Sequence, residues 1–149
     1  MDIHDSSDNG GYSMIDMGCG DGRWLLRAAQ IYPSLRFGVG VEMDQDRLRI
    51  ANELKASLLC RQGARVDFLC SNFASINLTF FDVIIFYLSR VGNEMIKEKI
   101  LLECCEKKKY VIIAVGFQVV GWRVVKLYNC SSDGVAGGLP AFKYILNNE

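Results

Sequence analysis

Residues 12–31 confine this chain more narrowly than any other stretch: an apolar run, three alternating glycines and an amphipathic segment follow one another without a break. Tyr12 to Met17 reads as the end of a buried strand, while Trp24, Leu25, Leu26, Ala28 and Ala29 recur at helical spacing. Gly18, Gly20 and Gly22 therefore occupy a strand-to-helix turn. Such a turn needs residues that tolerate positive φ, and a ligand lying against bare backbone cannot share its space with a Cβ. Asp21 is a candidate cap for the helix, since a short carboxylate satisfies otherwise unpaired first-turn amides. Asp16, just before the turn, can accept hydrogen bonds from a cationic or hydroxylated ligand.

The spacing excludes two familiar phosphate binders. A dinucleotide fingerprint, Gly-x-Gly-x-x-Gly, would put its third glycine on Arg23, and a phosphate-binding loop would need Gly-Lys-Ser or Gly-Lys-Thr. Neither is present, which argues against a nucleotide-dependent oxidoreductase. A tight turn that binds nothing is the other reading of the same glycines.

Beyond the turn, short apolar runs alternate with amphipathic segments. Strands are expected over 35–42, 65–70, 81–88 and 109–117. Helices are expected over 44–61, with Leu48, Ala51, Leu54, Leu58 and Leu59 inward, and over 93–105, with Met95, Ile96, Ile100, Leu101 and Cys104 inward. The continuous Val-Ile-Ile-Phe of residues 83–86 suits a strand covered on both faces. Two further strand-like runs, 122–128 and 141–146, flank a Ser- and Gly-rich loop with no helix before them, which reads as a closing antiparallel hairpin. The expected fold is α/β, a doubly wound, mostly parallel sheet closed by that hairpin. A ligand would bind outside the carboxyl ends of the strands, where strand order reverses.

A length of 149 residues implies one domain, expected over 14–149, behind a polar tail over 1–13 that resembles neither a secretory signal nor an Arg-rich transit peptide. That absence favours the cytoplasm, with a mitochondrial location open if the amino terminus is trimmed. Seventeen basic and seventeen acidic residues cancel, which argues against a nucleic-acid partner, and no run of eighteen apolar residues suggests a membrane span. The six cysteines form no Cys-x-x-Cys pair and the single histidine, His4, lies in the tail, so no metal site is expected and the thiols read as reduced.

The pattern Asp-x-Gly-x-Gly-x-Gly at residues 16–22 resembles the first motif of the class I S-adenosylmethionine-dependent methyltransferases. Nearly the whole chain follows that Rossmann-like methyltransferase plan, although a helix common before the closing hairpin is missing. The resemblance implies S-adenosylmethionine as cofactor, with Asp16, Gly18, Cys19 and Gly20 lining it. Val-Gly-Val-Glu-Met-Asp at 39–44 matches a second motif, with Glu42 about twenty residues past the glycines in the ribose position and Met43 against the adenine. Glu42 as a strand end in solvent is the alternative, and Asp44 reads as a helix cap. Where the family often has an aspartate for the adenine amino group, this chain offers Asn72, followed by Phe73; Asn72 is equally an ordinary turn residue.

Phe86 and Tyr87 end the fourth strand, where donor and acceptor should meet. The Asn-Pro-Pro-Tyr of enzymes that methylate nucleic-acid or glutamine amines is absent there. Phe86 is expected at the cofactor and Tyr87 at the substrate, its ring suited to shape a channel for a lysine amine; simple packing is the competing reading of both. Together the motifs are similar to the small protein-lysine methyltransferases of the ATP synthase c subunit and adenine nucleotide translocase group. The resemblance thus implies N-methylation of a protein lysine. A small-molecule acceptor, or a catalytically silent cofactor-binding domain that serves a partner, are the alternatives, and no catalytic base is assigned.

Overall fold

The computed structural model describes residues 11–58, 65–104, 109–130 and 138–146. Seven strands form one sheet: β1 (Tyr12–Met17), β2 (Leu35–Glu42), β3 (Arg65–Cys70), β4 (Val83–Phe86), β5 (Tyr110–Val115), β6 (Lys126–Cys130) and β7 (Leu139–Leu146). Three helices join them: α1 (Arg23–Ile31), α2 (Gln45–Leu58) and α3 (Arg90–Glu103). The strand order is β3-β2-β1-β4-β5-β7-β6. All neighbours from β3 to β5 pair in parallel, and β7 runs antiparallel to both β5 and β6. This is the doubly wound sheet with a closing hairpin that the alternation of elements implies. Strand order reverses between β1 and β4, so the crevice opens at the carboxyl end of β1.

Period-two alternation along the central strands divides the core between the two faces. Met14, Val83, Ile85 and Ile113 pack with Leu25, Leu26 and Ala29 of α1 on one face. Ile15, Met17, Ile84, Phe86 and Ile112 pack with Ile96 and Ile100 of α3 on the other. Each such buried side chain contributes about 1.5 to 3 kcal/mol relative to an exposed one. At the far end of the sheet, Ser13 donates its N–H to Asp82 Oδ2 at 2.7 Å, and the Asp82 N–H donates to Ser13 Oγ at 3.2 Å, which aligns β1 with the entry to β4. Tyr12 and Ser13 thus belong to β1 although the tail was expected to run to residue 13; residues 1–10 lie outside the described residues.

The structure corrects several expectations. Strand β4 is confined to Val83–Phe86, because Phe81 closes a short 3-10 turn and Tyr87 already leaves the sheet. Helix α3 begins three residues early, at Arg90, because Ser89 Oγ accepts the Gly92 N–H at 3.1 Å and caps it. Its buried face carries Asn93, Ile96 and Ile100, while Met95 and Leu101 are exposed. Leu58 of α2 is also exposed, and Leu59 lies outside the described residues. Residues 122–124 are not strand; β6 starts at Lys126. No helix forms between β5 and β6, and among the described residues no helix is long and apolar enough to cross a membrane.

Candidate active site

The glycine turn is held from below by β2. The N–H groups of Gly18 and Cys19 both donate to Val41 O, at 2.8 and 3.0 Å, and Gly22 N–H donates back to Cys19 O at 2.9 Å. Gly18, Gly20 and Gly22 all adopt left-handed φ, at 80°, 57° and 71°. Their roles differ in what a side chain would meet. A Cβ on Gly22 would lie 2.3 Å from the Phe68 ring, so that glycine serves packing. A Cβ on Gly20 would meet nothing within 4 Å, so the turn opens onto free space at that residue. Gly22, not Asp21, is the helix cap; Asp21 stands one position outside, accepting the Arg23 N–H at 3.2 Å and pairing with its guanidinium at 2.5 Å. That contact pulls the Asp21 carboxyl below its ordinary range.

Glu42 reaches across the turn. Its Oε2 accepts the Gly20 N–H at 2.9 Å, and its Oε1 accepts those of Met43 at 2.8 Å and Asp44 at 3.1 Å. A carboxylate offers roughly four acceptor positions, so three are already used. A grip on two ligand hydroxyls requires one of these three bonds to open, which couples ligand entry to the backbone that holds Glu42. Asp44 is the cap of α2: its Oδ1 accepts from Asp46 N at 2.9 Å and Arg47 N at 3.2 Å.

Asp16 lies opposite Gly40 on β2 and Ile85 on β4, and its side chain is almost wholly buried. Among the described residues no hydrogen-bond donor serves its carboxyl. Burial, reinforced by the nearby Glu42 and Asp21, pushes its pKa up to about 7. A buried acid that lacks a donor and shares space with another acid is suited to receive a cation. Cys19 is buried beside Gly40, and burial with the Asp16 and Glu42 charges pushes its thiol up as well, which disfavours the thiolate.

The remaining walls come from three loops. Ser71 N–H donates to Glu42 O at 3.1 Å, which brings residues 71–73 beside Met43, an exposed side chain. Asn72 Oδ1 already accepts the Ala74 N–H at 2.9 Å and caps a 3-10 turn, leaving one acceptor position free. Phe73 leans on the core, half-buried. Phe86 is wholly buried in the core, so its side chain offers no surface to a ligand, contrary to the expectation drawn from its position. Tyr87, by contrast, is 53% exposed and its ring covers Gly116.

Sequence reasoning missed Leu88, which packs against both Gly18 and Gly92 and joins the turn to α3. It also missed Asn93, buried in α3, whose Nδ2 donates to Phe117 O at 3.1 Å. The only local signal was a polar residue at an apolar position of the helix. No group of His, Cys, Asp and Glu among the described residues could hold a metal ion.

Comparison with known proteins places these features in context. The model of the ANTKMT methyltransferase domain matches residues 16–126. A protein-lysine N-methyltransferase of Saccharolobus islandicus (strain REY15A) is 30% identical over 111 residues, 73% of this chain; the match spans 65% of that relative's length. Among solved structures, an RNA methyltransferase from Salinibacter ruber in complex with S-adenosyl-L-homocysteine superimposes with a TM-score of 0.75 at 19% identity, covering 93% of this chain and 82% of that one. The putative methyltransferase yhhF from Escherichia coli gives a TM-score of 0.68 at 19% identity, covering 93% and 77%. At these identities the structures speak for the fold alone.

Proposed function

The chain belongs to the ANTKMT methyltransferase domain family, within the class I S-adenosylmethionine-dependent methyltransferases, and from that premise we propose that it transfers the methyl group of S-adenosylmethionine to a lysine amine of a protein. The observation that carries this reading is the meeting of a donorless buried acid, Asp16, with a backbone-held acid, Glu42, beside the open space at Gly20. The ligand has the complementary groups: an ammonium and a sulfonium, a ribose diol and an adenine. The residues fit it. Asp16 would face its cationic end, Gly18, Cys19 and Gly20 would give it bare backbone, and Glu42 would accept the ribose hydroxyls. Met43, Asn72 and Phe73 would border the adenine, and Phe86 would contribute only through its backbone.

When bound, S-adenosylmethionine supplies an electrophilic methyl group with a thioether as leaving group. The work left to the protein is mainly to hold the acceptor in line and keep water out, and positioning of this kind lowers barriers by about 7 to 11 kcal/mol. Tyr87 and Leu88 stand at the exit of β4, between the turn and Gly116, where an incoming amine can be aligned. The Tyr87 ring attracts the amine while it is still protonated. Its proton leaves to solvent before transfer, so no base is assigned. The protein acceptor follows the Saccharolobus islandicus relative's name.

The test has two parts. Calorimetric titration should give heat with S-adenosylhomocysteine and none with NAD; the reverse ends this reading. Radiolabelled S-adenosylmethionine added to cell lysate with the purified protein should then label protease-sensitive material, with methyl-lysine in the hydrolysate. Label in small molecules alone would replace the protein acceptor, and tight cofactor binding with no transfer would make the domain silent.

A further inference from the structure

A cavity of about 400 Å3 opens at the exit of β5, lined by Arg90, Glu94, Gly116, Phe117, Gln118 and Val120. It adjoins the proposed donor site through two contacts: Leu88 packs on Gly18, and the ring of the preceding Tyr87 covers Gly116. Its walls are preformed, although no helix follows β5. Asn93 Nδ2 donates to Phe117 O at 3.1 Å, Lys97 Nζ to Val120 O at 2.5 Å, and Val119 N–H to the Tyr144 hydroxyl at 2.8 Å.

The charges in this cavity are unusual. Arg90 and Glu94 are four residues apart on α3, near enough to pair, yet no ion pair joins them. The Arg90 guanidinium instead lies over the Phe117 ring, 5.5 Å from its centroid, and no carboxylate among the described residues reaches it. A guanidinium that sits over a ring and makes no ion pair keeps its N–H groups available for a planar, two-oxygen acceptor. Glu94 is 49% exposed and only loosely paired with Lys97, at 3.8 Å. Arg90 and Lys97 set against Glu94 leave one net positive charge, which a single carboxylate neutralises and a doubly charged phosphate exceeds.

We propose that this cavity receives a carboxylate next to the target lysine of the acceptor chain, and that Arg90 selects it. This rests on the lysine methylation proposed above and adds its sequence preference. The carboxylate comes from an acidic side chain or from a chain end, since the chemistry at Arg90 is the same.

The experiment uses the purified full chain, labelled S-adenosylmethionine and short peptides that carry one lysine next to glutamate or glutamine. A second pair carries the lysine next to a free or an amidated carboxyl terminus. The glutamate peptide should be preferred by about tenfold in kcat/KM, mostly through KM, as expected for one partly exposed charged hydrogen-bond pair. In Arg90→Gln that preference should fall to near unity, and Arg90→Lys should restore part of it. Affinity for S-adenosylhomocysteine reports that the fold is intact. A preference only in the second pair assigns the carboxylate to a chain end. Equal rates for both members of each pair, or a preference that survives Arg90→Gln, overturns the inference while leaving lysine methylation standing. Transfer to none of the peptides, with cofactor binding intact, overturns both.

Discussion

Replacing Asp16 by asparagine separates the two demands made on that residue. The buried carboxyl has its pKa raised from an ordinary 3.8 to about 7, burial being the main cause and Glu42 and Asp21 adding to it. Between those values the folded chain holds a proton that the unfolded chain has lost, so stability falls as pH rises through the window and levels off above it. From pH 5 to pH 8 the fall attributable to Asp16 covers about two pKa units, or roughly 3 kcal/mol at 1.36 kcal/mol per unit. Asparagine is nearly isosteric and cannot ionise. The Asp16→Asn protein should therefore lose roughly 3 kcal/mol less than the parent between those pH values, gaining on it by that amount as pH rises. Urea unfolding at pH 5, 6, 7 and 8 measures this directly.

The same variant should bind S-adenosylhomocysteine poorly, because the ligand's ammonium loses its counter-charge. In the parent, ligand binding below neutrality must expel the Asp16 proton. Calorimetry in two buffers of different ionisation enthalpy should show close to one proton released per ligand at pH 6 and close to none at pH 8. Parallel stability profiles for parent and variant, or ligand binding at pH 6 without proton release, would refute the assignment of Asp16 as a protonated acid awaiting a cation.

Glu42→Ala removes the acceptor of three backbone N–H groups and should weaken S-adenosylhomocysteine binding by about 1 to 3 kcal/mol in calorimetry; unchanged affinity takes Glu42 out of the site. Gly22→Ala combines left-handed strain with overlap on the Phe68 ring and should cost about 2 to 5 kcal/mol in urea unfolding. Gly20→Ala carries the strain alone, about 1 to 2 kcal/mol; equal losses for the two would contradict the packing role given to Gly22. Ile100→Ala should cost about 2 to 5 kcal/mol and its neighbour Leu101→Ala within about 0.5, and thermal melts that rank them the other way would show that the buried face of α3 is misplaced.

Residues whose role is settled by their own backbone could be read from the sequence. The glycine turn needs left-handed φ wherever it occurs, the bounds of β2 and β3 follow from apolar runs between turn signals, and Asp44 caps the helix that begins at the next residue. Residues whose role depends on a partner far along the chain could not. Asn93 is buried with its amide N–H taken by Phe117 O, 24 residues away, and it shares the inward face of α3 with Ile96 and Ile100, while Met95 and Leu101 are exposed. Phe86 illustrates the reverse error. Its place at the end of β4 suggested a ligand contact by its side chain, but period two turns that ring into the core, while Tyr87, just past the strand, is exposed.

The distinction bears on how the site divides its labour. The proposed donor half is built from a turn and a strand end, local features with little freedom, and it opens at Gly20. The proposed acceptor half is assembled from the exits of β4 and β5 and pinned by Asn93, Lys97 and Tyr144, each reaching across at least 23 residues of sequence. Substitutions in those three residues can reshape the acceptor cavity without touching the glycine turn or Glu42. The double variant Asn93→Ala with Lys97→Ala should therefore keep S-adenosylhomocysteine affinity within about twofold while lowering methyl transfer to peptides, since sites without shared contacts respond independently. An equal loss of both would mean that Leu88, which packs on Gly18 of the turn and Gly92 of α3, carries more coupling than those contacts suggest.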